Sequence, residues 1–270
     1  MRFFLVNAFT EKIFSGNPAA VVPLEKNLPD SVLLSIAGEF NYSETAFIMK
    51  RSDDAFDLRW FSPLAEVELC GHATLAAAHM LLEMKVVNTS RKIEFHTRSG
   101  LLTARTTAAG IQLDFPSSPV QQVSASFELA KALGHIPQFV GKTNFDYLIL
   151  FETEKIVREL DPDFFLLKKV PTRGVIITAK SDPDTGYDFV SRFFCPSLGI
   201  SEDPVTGSAH CALGPFWMNK LNKRDLMAYQ ASKRGGSLKI GFVEDRVLLT
   251  GKAVTVARGE FSELQVLQPA

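Results

Sequence analysis

The chain contains only three cysteines, which are scattered along its 270 residues. Such a small, odd number cannot build the disulfide framework of small secreted domains, so Cys70, Cys195 and Cys211 are expected to be reduced thiols. The first ten residues contain Arg2 but also Asn7 and no small-residue cleavage site, which argues against a signal peptide. We therefore expect a cytoplasmic protein.

The sequence also has no surplus of one charge and no long apolar run. Its 29 basic and 30 acidic residues give a net charge of −1, which offers nothing to attract nucleic acid. No segment approaches the roughly 18 consecutive apolar residues of a membrane helix. Glycine-rich phosphate loops and the Cys-x-x-Cys or His-Glu-x-x-His spacings of zinc sites are missing as well. Nucleic acid, membrane, nucleotide and metal are therefore not expected as partners.

Many short segments are rich in β-branched and aromatic residues and are separated by Gly, Pro, Ser or Asp, which is typical of strands. Helices are predicted over Asp30–Glu39, with Asp30 as N-cap, over Gly71–Glu83, near 162–169 and over Gly207–Leu221. Strands are predicted over residues 3–9, 19–22, 45–49, 56–61, 93–97, 101–106, 111–115, 147–151, 174–179, 189–194, 238–242, 247–250 and 253–257.

The second half of the chain repeats the motifs of the first. Arg59-Trp-Phe-Ser-Pro63 is answered by Arg192-Phe-Phe-Cys-Pro196, and Glu66-Val-Glu-Leu-Cys-Gly-His-Ala73 by Glu202-Asp-Pro-Val-Thr-Gly-Ser-Ala209. Because the matches keep their order and spacing, we expect two homologous halves, residues 1–117 and 118–270, joined near the Pro/Ser segment 115–119.

The helix that begins at Gly71 is apolar on nearly every side, and the helix that begins at Gly207 repeats this pattern. A helix without a polar face must be buried all round, so strands have to wrap it. We expect an α+β protein made of two pseudo-symmetric β-barrel-like halves, each around a central helix, with a cleft between them.

Both central helices begin with glycine, which lets a ligand approach the unpaired amides of the first turn. The partial positive charge of a helix N-terminus favours an anion such as a carboxylate or a developing enolate. Reactive groups cluster near both starts: Cys70 and His72 at the first, and Asp203, Thr206, Ser208 and His210 at the second. The alternative is that both are ordinary helix starts.

Cys70 and Glu44 distinguish the first half from the second. Thr206 stands where a second thiol would be needed for a two-cysteine racemase, so Cys70 is either a catalytic thiol or a small buried hydrophobe. Glu44 precedes an apolar strand whose counterpart near 174–179 has no acid. In an apolar cleft, burial raises the pKa of a carboxyl and allows it to take and give a proton. The alternative is a solvated glutamate at a strand start.

Five ordered motifs over essentially the whole chain resemble the phenazine biosynthesis PhzF-like family of the diaminopimelate epimerase superfamily. They are Phe14-Ser-Gly-Asn-Pro-Ala-Ala-Val-Val22, Ser43-Glu-Thr-Ala-Phe47, Arg59-Trp-Phe-Ser-Pro63, Cys70-Gly-His-Ala-Thr74 and Glu202-Asp-Pro-Val-Thr-Gly-Ser-Ala-His210. The resemblance implies the two-barrel fold. It also implies Glu44 as the proton-shuttling acid/base, and His72, Asp203 and Ser208 as residues that bind and orient the substrate.

The resemblance further implies no metal, flavin, nicotinamide or pyridoxal cofactor, and a homodimer would suit the family. It places Asn17, in the first motif, near the site through its backbone. The Cys-Gly-His sequence at the first helix is that of a wider group whose substrates are largely unassigned. Phenazine synthesis, which uses trans-2,3-dihydro-3-hydroxyanthranilate, is therefore not carried over.

The expected function is a cofactor-independent isomerase of a small carboxylate-bearing, amino-acid-like molecule. Glu44 would remove a carbon-bound proton and return it, with Asp203 and His72 orienting the substrate or relaying protons. Gly71, Gly207, Ser208, Thr206, Cys70 and Asn17 complete the expected site. Two alternatives are a Cys70-assisted racemase, epimerase or dehydratase, and a binding protein that has lost turnover.

Overall fold

The computed structural model describes residues 1–262, and the chain forms two compact units. Among the described residues, the first unit comprises Met1–Asp114 together with residues 250–262, and the second is Phe115–Leu249. The division after Asp114 lies near the expected boundary at 117/118. The return at Thr250 differs from the expectation, because the last strand pairs with the first strand of the chain.

Strands provide most of the regular structure. In chain order they are β1 (Arg2–Ala8), β2 (Asn17–Leu24), β3 (Thr45–Lys50), β4 (Ala55–Phe61), β5 (Glu66–Val67), β6 (Ile93–Thr97), β7 (Gly100–Thr107), β8 (Gly110–Pro116), β9 (Gln121–Gln122), β10 (Phe139–Lys142), β11 (Asp146–Leu150), β12 (Gly174–Lys180), β13 (Phe189–Cys195), β14 (Ile200–Asp203), β15 (Leu226–Gln230), β16 (Gly236–Val243), β17 (Arg246–Gly251) and β18 (Ala253–Glu260).

The described helices are fewer. They are α1 (Asp30–Phe40), α2 (Gly71–Glu83), α3 (Phe127–Leu133), α4 (Glu154–Glu159), α5 (Phe164–Leu167) and α6 (Gly207–Leu221). The bounds of α2 and α6 are those predicted from the sequence. Asp30 as N-cap was wrong: Pro29 is the N-cap residue of α1, and Asp30 is its first helical residue and pairs with Arg59.

The two units repeat one topology. In the first, β2 and β3 are parallel, β3 and β4 antiparallel, β4 and β6 parallel, and β6 and β7 antiparallel. In the second, the same four relations join β11 to β12, β12 to β13, β13 to β15, and β15 to β16. Parallel neighbours need a long crossover, which α1 and α2 supply in one unit and the α4–α5 segment and α6 in the other. The expected α+β duplication is confirmed.

The central helices are buried as expected. In α2 every residue from Gly71 to Ala78 is buried, and the helix packs against β1, β2, β3 and β18. In α6 the Trp217 indole donates to the Thr178 hydroxyl at 2.9 Å and stacks on Phe189, which ties the helix to β12 and β13. Strands covered on both faces read as continuous apolar runs, and β12 is buried from Gly174 to Ala179. Over the described part of the chain, no helix has both the length and the apolar character that crossing a membrane requires.

Candidate active site

Glu44, His72 and Cys70 lie together in the first unit. Glu44 immediately precedes β3, Cys70 is the N-cap residue of α2, and His72 is the second residue of that helix. The His72 Nε2 atom is 3.4 Å from Glu44 Oε2, and its Nδ1 atom is 3.4 Å from Cys70 Sγ. One imidazole therefore contacts the carboxylate on one side and the thiol on the other. The sequence predicted each of the three separately, and the fold brings them to one helix start.

His72 is neutral at physiological pH. Its side chain is 5% exposed, and burial lowers the pKa of the imidazole to about 3. Its contact with Glu44 is therefore not an ion pair. A neutral imidazole carries one N–H and one lone pair. In one tautomer the thiol donates to Nδ1 and the ring proton is on Nε2, which lies 3.4 Å from Glu44 Oε2 without hydrogen-bond geometry.

In the described part of the chain, no side chain caps the N-terminus of α2 or of α6. Cys70 and Thr206 occupy the N-cap positions in extended conformation, and neither accepts a capping hydrogen bond from its helix. The Thr206 hydroxyl instead donates to Asp203 Oδ2 at 2.5 Å. Gly71 and Gly207 follow as the first helical residues, so the first-turn amides are not used by a cap of the usual kind.

In the second unit, Asp203 and Thr206 are held in a buried network around Gln230. The Gln230 side chain accepts from the Thr206 amide at 2.9 Å and donates to the Asp203 carbonyl at 2.8 Å. Gln230 is fully buried at the end of β15, a strand that the sequence did not predict. Its contribution was missed because it lies 24 residues from Thr206 in the chain.

Ser208, the second residue of α6, is contacted by an arginine that sequence analysis also missed. The Arg173 guanidinium donates to Ser208 Oγ at 3.2 Å and binds both carboxylate oxygens of Asp146, one of them at 2.9 Å. Phe145 and Phe193 lie beside the guanidinium, 5.2 and 5.9 Å from its central carbon. Because Arg173 supplies a donor to Oγ, the Ser208 hydroxyl keeps its own proton for another acceptor.

The strand registers identify the counterpart of Glu44. Ala46 pairs with Trp60, and Ile176 pairs with Phe193, which is the counterpart of Trp60 in the repeated motif. Ala46 therefore corresponds to Ile176, and Glu44, two residues earlier, corresponds to Gly174. A Cβ atom at Gly174 would lie 2.2 Å from the Phe193 ring. The second unit therefore has no room for a side chain at this position, and the acid is confined to the first unit.

Asn17 opens β2 and is fully buried. It follows Gly16, whose φ is +70° and whose added Cβ would lie 2.3 Å from the Ala8 carbonyl oxygen. Only glycine fits this turn without strain. The turn therefore sets the direction of the strand that pairs with β3, although a substrate contact of Asn17 stays a prediction.

His210 corresponds to Thr74 and serves the same local purpose. The Thr74 hydroxyl donates to the Cys70 carbonyl at 2.5 Å, and His210 Nδ1 donates to the Thr206 carbonyl at 2.8 Å. His210 is fully buried, which lowers the pKa of the imidazole to about 4, while the bond to Thr206 acts in the opposite direction. The contact explains this histidine without a catalytic role.

We expect His210 to make the fold sensitive to acid. The folded-state pKa of about 4 lies below the ordinary value of 6.5, so the unfolded chain binds more protons between these values. Stability is complete above pH 6.5 and falls by about 3 kcal/mol as the pH drops to 4. The matched variant His210→Thr, which copies Thr74, should lose that part of the pH dependence in urea unfolding. His135→Gln, at an exposed site, should keep it. Equal pH dependence of wild type and His210→Thr would contradict the prediction.

Comparison with known proteins places the chain. Residues 6–259 match the family model for phenazine biosynthesis-like proteins. A protein of Halalkalibacterium halodurans named as an uncharacterized isomerase is 52% identical over 95% of this chain and 97% of its own length. The crystal structure of a PhzF-family protein from Enterococcus faecalis is similar with a TM-score of 0.90 and 42% identity, over 96% of this chain and 97% of that one. A probable proline racemase from Agrobacterium radiobacter shares the fold, with a TM-score of 0.65 and 12% identity over 99% of this chain and 94% of that one. The chain therefore belongs to the phenazine biosynthesis-like PhzF family of isomerases, with the diaminopimelate epimerase-like fold.

Proposed function

We propose that the protein moves a carbon-bound proton on a small carboxylate-bearing, amino-acid-like substrate, without a cofactor, and that Glu44 is the general acid/base. The observation that carries the proposal is the contact of the Glu44 carboxylate with the neutral His72 at the uncapped start of α2. A carboxylate at such a place removes a proton from carbon. The helix N-terminus then stabilises the negative charge that develops.

In this proposal His72 holds Glu44 in position and carries a proton to or from it. Because the imidazole is neutral, it does not neutralise the carboxylate and leaves it available as a base. Asp203 and Ser208 orient the polar groups of the substrate, with Thr206, Gly71, Gly207 and Asn17 completing its binding. The Ser208 hydroxyl, which receives a hydrogen bond from Arg173, donates to the substrate carboxylate.

A second candidate is a racemase or epimerase in which Cys70 is one of the bases. The 3.4 Å contact of its sulfur with His72 Nδ1 favours this candidate, because it fixes the thiol at the same helix start as Glu44, where its thiolate would be an alternative base. The two candidates share His72 and differ in which neighbour of the imidazole meets the substrate carbon.

Solvent-isotope exchange tests the proposal. The protein is incubated in deuterated water with a panel of α-amino and α-hydroxy acids, and NMR follows deuterium at carbon and the appearance of an isomer. We expect at least one member to isomerise or exchange, with the reaction lost in Glu44→Gln and retained in Cys70→Ala. The reverse pattern would establish the Cys70 candidate. A ligand that binds tightly with neither exchange nor isomerisation would indicate a binding protein and contradict the proposal.

The proposed role of Ser208 predicts an effect of Arg173. Replacing Arg173 with Lys keeps the charge but removes the paired N–H groups, so the Ser208 hydroxyl is no longer fixed. We expect KM for the substrate found in the panel to rise about 10-fold with kcat nearly unchanged, as for an interaction equally strong in ground and transition states. In a double-mutant cycle with Ser208→Ala, the two effects should not add. Arg91→Lys, which changes an exposed arginine, is the control. Additive effects of the two substitutions would show that Arg173 does not act through Ser208 and would contradict the prediction.

A further inference from the structure

Glu44, Cys70 and His72 have a property that proton transfer does not require: together they offer a metal ion three different donor atoms. The carboxylate oxygen, the thiol sulfur and a ring nitrogen of His72 all lie within 4.8 Å of one another. Carboxylate, thiolate and imidazole are the ligands that zinc takes in proteins. Sequence spacing did not show this set, because Glu44 comes from a different element than the other two.

The three side chains are largely buried, so an ion rather than solvent is the expected partner of their donor atoms. Cys70 is 6% exposed and the His72 side chain 5%, while the Glu44 side chain, at 21%, is the most accessible of the three. The His72 Nε2 atom is buried, and its 3.4 Å contact with Glu44 does not have hydrogen-bond geometry in the described chain. A buried ring nitrogen of this kind is costly unless it finds a partner. A metal ion would provide one.

The distances require only a small adjustment. Zinc binds these donors at about 2.0–2.3 Å, which in tetrahedral geometry places the donors roughly 3.3–3.8 Å apart. One ion binds a single nitrogen of an imidazole, so only one of the two 3.4 Å separations, Nε2 to Glu44 or Nδ1 to Cys70, applies to the site. The Nε2 atom, which has no hydrogen-bond partner among residues 1–262, is the nitrogen on the Glu44 side, and its separation from Glu44 is already in that range. The thiol sulfur lies within 4.8 Å of the other two donors, so the remaining contraction is about 1.3 Å at most and involves the Cys70 side. Three protein ligands then leave the fourth position open to water.

We propose that Glu44, Cys70 and His72 bind a zinc-like divalent cation, which occupies the acid/base group and holds the isomerase inactive. On binding, the Cys70 thiol gives its proton to solvent, and the ion takes one donor from each residue. The binding step stands independently of the proposed function, whereas the inhibition rests on it. In the second unit the corresponding residues are Gly174, Thr206 and Ser208, so one ion is expected for each chain.

The test uses the full chain, freed of metal with a chelator and kept reduced. Titration with Co²⁺ should produce a thiolate-to-cobalt charge-transfer band, and Zn²⁺ should displace the cobalt and bind one ion per chain in calorimetry. Cys70→Ser should abolish the band and weaken Zn²⁺ binding by at least about 10- to 100-fold. Circular dichroism and the urea midpoint verify that this variant is folded.

Cys211→Ser is the matched control. Cys211 is a buried thiol near the start of α6, with its pKa raised to about 12 by burial and its sulfur donating to the Gly207 carbonyl. A serine can keep that bond, and the cobalt band should persist. No binding by the wild type, or equal binding by Cys70→Ser, would overturn the site. Stoichiometric Zn²⁺ binding with undiminished isotope exchange would overturn the inhibition, while exchange that survives Glu44→Gln in metal-free protein would contradict the proposed function alone.

Discussion

Replacing Glu44 with glutamine is expected to lower kcat by about 10²- to 10⁴-fold, which corresponds to roughly 3–5 kcal/mol of transition-state stabilisation. Glutamine has nearly the same shape and keeps a carbonyl oxygen toward His72, but it cannot accept the proton taken from carbon. KM should therefore change little, because the side chain acts on the reacting bond rather than on binding. Steady-state kinetics on the substrate found by isotope exchange provide the measurement.

Two further variants sharpen this result. Glu39→Gln, at an exposed position in α1, removes the same charge outside the site and should leave kcat unchanged. Glu44→Asp keeps the acid but withdraws it by one methylene, and it should fall between wild type and Glu44→Gln. A Glu44→Gln protein with full activity would end the assignment of the acid/base.

The second large effect is expected at Arg192 and can be compared with an internal control. Arg192 binds both oxygens of Glu202 at 2.7 and 3.0 Å and also donates to the Val157 and Leu160 carbonyls. Its side chain is 13% exposed and that of Glu202 is 19%. Replacing Arg192 with Met would leave a largely buried carboxylate and two carbonyls without their donor. We expect the free energy of unfolding to fall by about 3–5 kcal/mol.

Arg59 is the corresponding residue of the first unit, and its replacement should destabilise the fold less than the replacement of Arg192. It binds both oxygens of Glu66 at 2.8 and 2.6 Å, but its side chain is 31% exposed. Glu66 has a second partner, Arg98, at 2.8 Å, which remains when Arg59 is replaced. We therefore expect Arg59→Met to cost about 1–2 kcal/mol in urea unfolding. An equal loss in the free energy of unfolding for both variants would show that burial and the second partner do not determine how much each ion pair stabilises the fold.

The duplication was readable from the sequence because the residues of this ion pair recur with their flanking motifs. Arg59 with Glu66 and Arg192 with Glu202 sit on adjacent antiparallel strands, with Glu66 opposite Phe61 and Glu202 opposite Phe194. The central helices were also predictable, since a sequence apolar on all sides leaves little choice of environment. Elements such as β5 and β9, with two residues each, are too short to show a hydrophobic period.

For the candidate site, the sequence indicated residues but not their arrangement. Local motifs pointed to Glu44, Cys70 and His72, whereas their contacts depend on the pairing of β3 with β4 and of β4 with β5, the strand that leads to α2. The Arg173–Asp146 pair left no local signal, because its members are 27 residues apart and meet only through the parallel pairing of β11 and β12. Long-range pairing of this kind is decided by the whole sheet rather than by neighbours in sequence.

The pairing of β1 with β18 has a consequence for synthesis on the ribosome. The second unit is one continuous piece of chain, whereas the first receives its last strand only after the second has been made. Until residues 253–260 emerge, β1 has β2 on one side and an open row of backbone donors and acceptors on the other. The nascent first unit thus has an unpaired strand edge while the second unit is being made, and β18, which follows the second unit in the chain, is the strand that covers this edge.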